Sequence, residues 1–481
     1  MRLINPLNIS RILSTILLIA AGFFLVCLPV ALIYNEPVQP FLLSSAISVA
    51  LALFIRILTR KADPGQISNR DTFLIVAIAW ILFSLAGTLP YLISKAIPSF
   101  IDAFFESTSG FTTTGSSILQ DVESLPYSIL FWRSLTHWIG GIGIIVLVIL
   151  ILPSLQITGY HLFSLESSMK EKIHPRTKGI VYRVLLIYTG LTLLEIVFLL
   201  IGHMNLFDSI CHAFGTVATG GFSPKNTSLS DYSPYIQYVI AVFMFLSATS
   251  YVVYYYTLKG NFSKVFKNEE FWFYLFVVAA SVVFVTLTLY SKTDRNFELS
   301  FRHAFFQVIS QITCTGFATT DYMAFPAIGM FFMFLIMFLG GSTGSTTGGI
   351  KMARHLISMK NLRNSFVKIH HPNAVIPVRL NGRIVSDGVV NQMMVFISLY
   401  LIIFVIGNLI MQLTGISILE ASGASASCLA GIGPGLGASG NVGNYAHFNS
   451  TAKVTMMLLM ILGRLELFTF LSILTRAFRR N

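Results

Sequence analysis

Long apolar runs, each sufficient to cross a bilayer as a helix, follow one another along the chain. A hydrocarbon core about 30 Å thick requires about 20 apolar residues in a helix. Runs without a charged residue span 12–35, 37–55, 72–94, 134–165, 232–258, 271–291, 322–350 and 388–419, and runs that contain charges span 184–207 and 454–475. The pattern therefore predicts an all-α polytopic membrane protein with ten transmembrane helices.

Four shorter apolar segments, each followed by a loop that ends in glycine, lie between these runs. The segments cover about 101–111, 207–217, 302–312 and 419–429. They are too short to span a bilayer, so each is expected to enter it and return to the same side. Non-helical backbone at membrane depth is stable only where it lines water or is buried in protein. The four re-entrant loops are therefore predicted to converge on one axis as a pseudo-fourfold pore.

The four loops share one register. Each has a large apolar residue four positions before its last glycine, and three have a serine six positions before it. The candidate filter residues are Thr112, Thr113, Thr114 and Gly115; Ala218, Thr219, Gly220 and Gly221; Thr313, Cys314, Thr315 and Gly316; and Ala430, Gly431, Ile432 and Gly433. In the fourth loop Gly431 and Gly435 compete with Gly433, and the register with Ser427 and Glu420 favours Gly433.

Glycine at the end of each loop has a mechanical explanation. Carbonyls that all point inward need φ and ψ values that side chains disfavour and glycine tolerates. Such carbonyls replace the hydration shell of an ion, and the short helices aim their partly negative C-terminal ends at the axis. A pore of this kind is expected to conduct a cation. The alternative, that the glycines only permit close helix packing, does not explain four loops in one register.

The repeating unit is a helix, a short pore helix, a filter loop and a second helix, and two extra helices precede the first unit. A signal peptide is the alternative for the first apolar run, but no small-x-small cleavage site follows it, so we assign a helix. The resulting regions are 1–70 for the two leading helices, 71–165 for repeat 1, 166–268 for repeat 2, 269–370 for repeat 3 and 371–481 for repeat 4.

Composition and charge exclude a soluble protein and indicate an orientation. Only 11% of the residues are charged, against roughly 25% in globular proteins. The net charge is +12, and Lys and Arg concentrate on one side of the predicted helices, opposite the glycine loops. Since cytoplasmic loops collect these residues, the filter side is predicted to be external and both termini cytoplasmic, with no nucleic-acid partner. The basic segments 170–178 and 351–383 are predicted to dock an acidic partner, with anionic lipid as the alternative.

An acidic residue lies thirteen positions before the loop glycine in three repeats, as Asp102, Asp208 and Glu420. These carboxylates could form an outer vestibule that concentrates cations. They could equally be N-caps of the short helices. The two roles are compatible.

Residues 340–349, five glycines and five Ser or Thr, interrupt the second long helix of repeat 3. Each glycine costs about 1 kcal/mol in a helix relative to alanine, so the helix should break there, beneath the filter. The break is interpreted either as a hinged gate or as a packing kink between helices. The candidate gate residues are Gly340, Gly341, Ser342, Gly344, Ser345, Gly348, Gly349 and Lys351.

Arg464 lies near the middle of the last apolar run, where a charge costs about 3 kcal/mol to insert. It is therefore expected to face water or a carboxylate. An arginine below the filter would repel cations or bind the carbonyls of the 340–349 loop. The alternative is a structural ion pair with Glu466 or Glu195.

Two other function classes fit the sequence poorly. A membrane-embedded hydrolase needs a nucleophile and a base, but His137, His203, His212 and His303 show no catalytic pairing with a serine. The four cysteines show no metal-ligand spacing. An alternating-access carrier would show inverted repeats around one site. The chain is therefore predicted not to be an enzyme and to hold no covalent cofactor.

Four motifs resemble those of the Trk/Ktr/HKT superfamily of cation transporters, and the resemblance extends over essentially the whole chain. They are Ser-Gly-Phe-Thr-Thr-Thr-Gly at 109–115, Thr-Gly-Gly-Phe-Ser at 219–223, Cys-Thr-Gly-Phe at 314–317 and Gly-Gly-Ser-Thr-Gly-Ser-Thr-Thr-Gly-Gly-Ile-Lys at 340–351. The two leading helices are similar to those of the bacterial Trk-type potassium uptake subunit.

This resemblance implies potassium uptake across the bacterial cytoplasmic membrane by a homodimer, with 340–349 as an intramembrane gating loop and a cytosolic nucleotide-binding ring as regulatory partner. A sodium-permeable or sodium-coupled relative of the same fold is the alternative. In the superfamily, serine at the first filter glycine accompanies sodium transport. Gly115 at that position favours potassium.

Overall fold

The computed structural model describes residues 5–60, 69–150, 176–293, 296–465, 467–468 and 471, and these residues are mostly helical. The helices before the second loop are α1 (Pro6–Val26), α2 (Leu28–Ile33), α3 (Gln39–Leu58), α4 (Asn69–Gly87), α5 (Leu89–Ile93), α6 (Phe100–Phe111), α7 (Tyr127–Leu150), α8 (Arg176–Ile201) and α9 (Leu206–Val217).

The remaining helices are α10 (Pro234–Ser247), α11 (Tyr251–Leu258), α12 (Phe262–Phe266), α13 (Glu269–Lys292), α14 (Phe297–Ile312), α15 (Ala327–Ile336), α16 (Met352–His370), α17 (Asp387–Leu413), α18 (Ile418–Ala430) and α19 (Ser450–Arg464). Short 3-10 helices cover Tyr322–Ala324 and Gly437–Ser439. A two-residue antiparallel hairpin pairs β1 (Arg379–Leu380) with β2 (Arg383–Ile384).

Six helices in the described residues are long and apolar enough to cross a membrane, and a bent pair adds a seventh. The six are Pro6–Ile33, Gln39–Leu58, Arg70–Ile93, Val181–Ile201, Glu269–Lys292 and Asp387–Leu413. Their outward faces carry large apolar side chains, for example Ile33, Leu58 and Leu413. Such surfaces are typical of a bilayer-facing protein, so the fold is that of a mostly helical, multi-pass membrane protein.

The other predicted spans differ from straight helices for identifiable reasons. The run 232–258 forms α10 and α11, which meet at an angle of 95°. The run 322–350 is helical only to Ile336, where α15 ends. The runs 134–165 and 454–475 continue into residues outside the described ranges.

The four short helices lie where the sequence predicts them, as α6, α9, α14 and α18. Each begins at an N-cap side chain that accepts a hydrogen bond from the backbone N–H three residues on. The caps are Ser99, Asn205, Asn296 and Ser417. The N-cap role proposed for Asp102, Asp208 and Glu420 is therefore wrong, because these acids occupy the first turn after the cap. There they still oppose the positive end of the helix dipole.

Aromatic side chains join the leading helices to repeat 1. The Trp132 ring on α7 lies 4.8 Å from Phe24 of α1 and 6.0 Å from Phe111, the last residue of α6. All three side chains are buried, and the Trp132 indole also donates to the carbonyl of Gly87 at 3.2 Å. This packing fixes the end of α6, and with it the start of the first glycine loop.

Candidate ion-conduction site

The four glycine loops have the same backbone conformation. We number them loop 1 (112–115), loop 2 (218–221), loop 3 (313–316) and loop 4 (430–433). In each loop the last residue and the residue two before it have positive φ. The values are 52° at Thr113 and 82° at Gly115, 55° at Thr219 and 78° at Gly221, 53° at Cys314 and 83° at Gly316, and 70° at Gly431 and 105° at Gly433. Because side chains disfavour such angles, the conformation accounts for glycine at the end of every loop.

The loops meet in a closed ring. A Cβ placed on each last glycine would lie less than 3.0 Å from the carbonyl oxygen that precedes the last glycine of the next loop. These pairs are Gly115 with Gly220, Gly221 with Thr315, Gly316 with Ile432, and Gly433 with Thr114. The contacts run from loop 1 to 2, 2 to 3, 3 to 4 and 4 to 1, so the sixteen candidate filter residues are brought together around one axis.

The ring places Gly433 in the register of the other three glycines. Gly435, its competitor in the sequence, lies outside the ring, where an added Cβ would meet Ser439 and Tyr445. The carbonyl of Gly433 instead accepts hydrogen bonds from Ser116 Oγ at 2.9 Å and Tyr445 Oη at 2.8 Å. Ser116 therefore ties loop 4 to repeat 1, and Tyr445 ties it to a later segment of its own repeat.

Threonine side chains support loops 1 and 3 from within. The hydroxyls of Thr112 and Thr114 are 2.8 Å apart, and those of Thr313 and Thr315 have the same separation. Loops 2 and 4 begin with alanine and have no such pair. The buried Thr113 hydroxyl has no hydrogen-bond partner among the described residues, so it contributes little to the shape of loop 1.

The 340–349 loop lies against the ends of the short helices that lead into the ring. Thr346 Oγ1 donates to the carbonyl of Val217 at 3.2 Å, and Gly348 packs against the carbonyl of Ala430. Ser342 donates its backbone N–H to the carbonyl of Ala248 at 2.9 Å, in the break between α10 and α11. The loop therefore sits directly beneath loops 2 and 4.

Glu270 is a buried residue of this region that the sequence did not single out. Its Oε1 accepts hydrogen bonds from the backbone N–H of Thr343 at 2.6 Å and of Ala353 at 3.1 Å. It thus joins the 340–349 loop, at Thr343, to the first turn of α16, at Ala353. The available signal was a second acidic residue in the first turn of a transmembrane helix, α13.

Arg464 contacts the 340–349 loop. Its side chain is 5% exposed, and its guanidinium donates from Nη1 to the carbonyl of Thr346 at 2.7 Å and from Nη2 to that of Gly140 at 3.3 Å. No ion pair joins it to Glu195 in the described part of the chain, and Glu466 lies outside that part. Lys351 similarly donates to the carbonyl and hydroxyl of Thr347. Two buried cationic side chains therefore bind the carbonyls of adjacent residues in this loop.

Acidic residues near the short helices form ion pairs and hydrogen bonds with other protein side chains. Asp102 pairs with Lys453 at 2.6 Å, and Asp208 accepts from Tyr232 Oη at 2.8 Å. Asp121 is exposed on the loop after the first filter glycine, and a hydrogen bond from the Asn226 side chain lowers the pKa of its carboxyl. Over the described ranges no cluster of His, Cys, Asp and Glu could hold a metal ion.

The basic segment 351–383 is a helix followed by a hairpin, and its cations differ in role. Lys351 and Arg354 are buried, and Arg354 lies 3.8 Å from the centroid of the Phe396 ring. Lys360 pairs with Glu269. The outward charge of α16 is therefore smaller than the sequence suggests. The other basic segment, 170–178, has no described side chain.

Comparisons with known proteins agree along almost the entire chain. A family model described as "TrkH: Cation transport protein" matches residues 38–479. The chain is 34% identical to the "Trk system potassium uptake protein TrkH" of Escherichia coli (strain K12), covering 98% of this chain and 99% of that protein. It is 33% identical to the TrkI protein of Halomonas elongata, covering 98% and 97%. The crystal structure of the potassium transporter TrkH from Vibrio parahaemolyticus superimposes with a TM-score of 0.90 at 31% identity, covering 98% of this chain and 99% of that one.

Proposed function

Because the chain belongs to the TrkH family of cation transport proteins, we propose that it takes up potassium ions through the ring of four glycine loops. The observation that carries this proposal is the closed sequence of contacts between each last glycine and the carbonyl of the next loop. Backbone carbonyls around one axis can replace the hydration shell of a cation. Relatives named as potassium uptake proteins support potassium as that cation.

The 340–349 loop is proposed to be the gate beneath this filter. Its contacts to Val217 and Ala430, the last residues of α9 and α18, support this assignment because both helices lead into the ring. Arg464 holds the same loop by its bond to Thr346 and adds a fixed positive charge below the filter. Both features restrict cation flux in the resting state.

The proposed topology has ten transmembrane helices and four re-entrant loops, organised as two leading helices and four repeats. The filter side faces outward, and both termini lie in the cytoplasm of a bacterial cell. A homodimer and a cytosolic nucleotide-binding ring complete the proposed assembly, in which the exposed cations of α16 contact the ring. The distribution of Lys and Arg opposite the glycine loops supports this orientation.

Uptake of radioactive rubidium into proteoliposomes tests the function. We expect uptake that excess potassium competes away and that excess sodium leaves mostly intact. Equal competition by both ions would indicate a sodium-permeable transporter instead. The same vesicles with and without a proton gradient, at zero membrane potential, distinguish a channel from a proton symporter. Under these conditions only a symporter driven by protons accumulates rubidium against its electrochemical gradient.

A further inference from the structure

A fully buried ion pair lies behind loops 1 and 2. Arg133 of α7 donates from Nε to Glu106 Oε1 of α6 at 2.6 Å, and their side chains are 4% and 0% exposed. Removing two charges from water is costly, and their attraction offsets that cost only when the remaining polar atoms are also hydrogen-bonded. The additional partners of this pair therefore indicate what it does.

Those partners are the segments that leave the two loops. Glu106 accepts from Ser117 Oγ at 2.9 Å and from the backbone N–H of Ile118 at 3.0 Å. Arg133 donates from Nη1 to the carbonyl of Ser223 at 2.9 Å, and its guanidinium lies 3.6 Å from the centroid of the ring of the preceding phenylalanine. Ser117 and Ser223 each lie two residues after the last glycine of their loop. One ion pair thus fixes equivalent points of two neighbouring loops.

Glu106 lies nine residues before the last glycine of loop 1. In two other repeats, the residue at the equivalent position also contacts the segment that leaves its loop. In repeat 2 it is His212, whose Nε2 lies 3.0 Å from Ser223 Oγ. In repeat 3 it is Gln307, which donates to the carbonyl of Thr320 at 3.1 Å. In repeat 4 it is Ala424, which has no polar side chain. A brace on the outgoing segment is therefore common to three repeats, and only the first repeat makes it from a charged pair.

We propose that Arg133 and Glu106 are positioning residues for ion selectivity, which set the spacing of loops 1 and 2 in the filter. This inference rests on the proposed function of the ring. Gly115 already packs against the carbonyl of Gly220 closer than a side chain would permit. A shift of either outgoing segment therefore moves carbonyls that face the ion, and it does so on one side of the pore.

Arg133→Lys is the main test, measured as the ratio of rubidium to sodium uptake in proteoliposomes. Lysine keeps the charge beside Glu106, but its point-like ammonium cannot also make the forked contact to Ser223. We expect correct insertion and a ratio about tenfold lower, equal to about 1.4 kcal/mol. A double variant, Glu106→Gln with Arg133→Met, removes both charges, so it leaves no unpaired buried charge, and it should lower the ratio at least as far.

Lys453→Gln is the matched control. It breaks a second ion pair to the same helix α6, Lys453 with Asp102, which has the same 2.6 Å separation. Its other hydrogen bond goes to the carbonyl of Ala446, thirteen residues after Gly433 and outside the segments that leave loops 1 and 2. This variant should lower the Tm without changing the ratio. If Arg133→Lys and the double variant likewise lower only the Tm, the pair is purely structural and the inference is wrong. If the parent protein itself shows no preference for rubidium over sodium, the proposed function is wrong, and this inference, which depends on it, is wrong with it.

Discussion

At the scale of single residues, the last glycine of each loop is the position that tolerates substitution least. Gly221 has a φ of 78°, and a Cβ there would collide with the carbonyl of Thr315. Gly221→Ser should lower the preference for potassium over sodium about tenfold, since a side chain at such a φ costs roughly 1–2 kcal/mol and the carbonyl must move. Ion ratios in reconstituted vesicles measure this effect.

Two control variants distinguish an effect of the loop backbone on selectivity from a general effect of substitution on the protein. Gly190→Ser introduces the same side chain on α8, where an added Cβ has nothing within 4 Å, and it should leave the ratio unchanged. Thr113→Val should also retain most of the selectivity, because the Thr113 hydroxyl has no hydrogen-bond partner among the described residues. An unchanged ratio in Gly221→Ser would show that loop 2 does not determine selectivity.

Arg464 is predicted to act as an electrostatic brake. A fixed positive charge repels a cation nearby, and losing about 1 kcal/mol of repulsion raises a rate roughly fivefold, so Arg464→Ala should raise rubidium uptake about fivefold. The filter carbonyls are untouched, so the potassium-to-sodium ratio should stay the same. Arg464→Lys should resemble the parent if charge alone matters. It should resemble Arg464→Ala if the two hydrogen bonds to the carbonyls of Thr346 and Gly140 matter. A protein that fails to insert would assign Arg464 a structural role instead.

The residues of the ring were predictable from sequence, whereas the residues that support it were not. The ring residues recur at a fixed register in four loops, so the repeat itself identifies them. Arg133 and Glu106 are 27 residues apart on different helices, and a single pair of opposite charges has no periodicity to reveal it. Glu270 was missed for the same reason, because its partners lie 73 and 83 residues away.

At the scale of elements, the 340–349 loop is predicted to restrict flux. Removing Thr343 to Thr346 takes away the carbonyl that Arg464 binds and the hydroxyl that binds Val217. Uptake should therefore rise severalfold in vesicles. Size-exclusion behaviour and protease protection establish whether the variant is folded and inserted. Lower uptake by a folded, inserted variant would mean that the loop is a structural support.

The break between α10 and α11 is a feature that the apolar run in the sequence does not predict. The run 232–258 has no charge and no internal glycine, so its sequence predicts a continuous span. The 95° bend follows from contacts to a distant segment. The carbonyl of Ala248 accepts from the N–H of Ser342, and the N–H of Tyr251 donates to the carbonyl of Gly344 at 3.3 Å. The short helices, by contrast, were predictable because their caps and loop glycines are local.

At the scale of the whole molecule, the exposed cations of α16 bear on the proposed regulatory ring. Lys351 and Arg354 face inward, so contact with an acidic partner falls to outward residues such as Arg363 and Lys368. Reversing both charges should reduce co-purification of the ring about tenfold, as expected for losing somewhat more than 1 kcal/mol of attraction. Membrane insertion should not change, because orientation depends on many other Lys and Arg residues.

The competing explanation is that α16 contacts anionic lipid, where each cation contributes about 1 kcal/mol. Binding of the purified double variant to vesicles with and without anionic lipid, in the absence of the ring, separates the two. Lys95→Glu is a suitable control, since Lys95 is exposed but precedes α6 on the side assigned as external. A partner on the cytoplasmic side should be insensitive to it. Unchanged co-purification of the ring with the Arg363 and Lys368 variant, together with weaker binding to anionic vesicles, would leave lipid as the ligand of this helix.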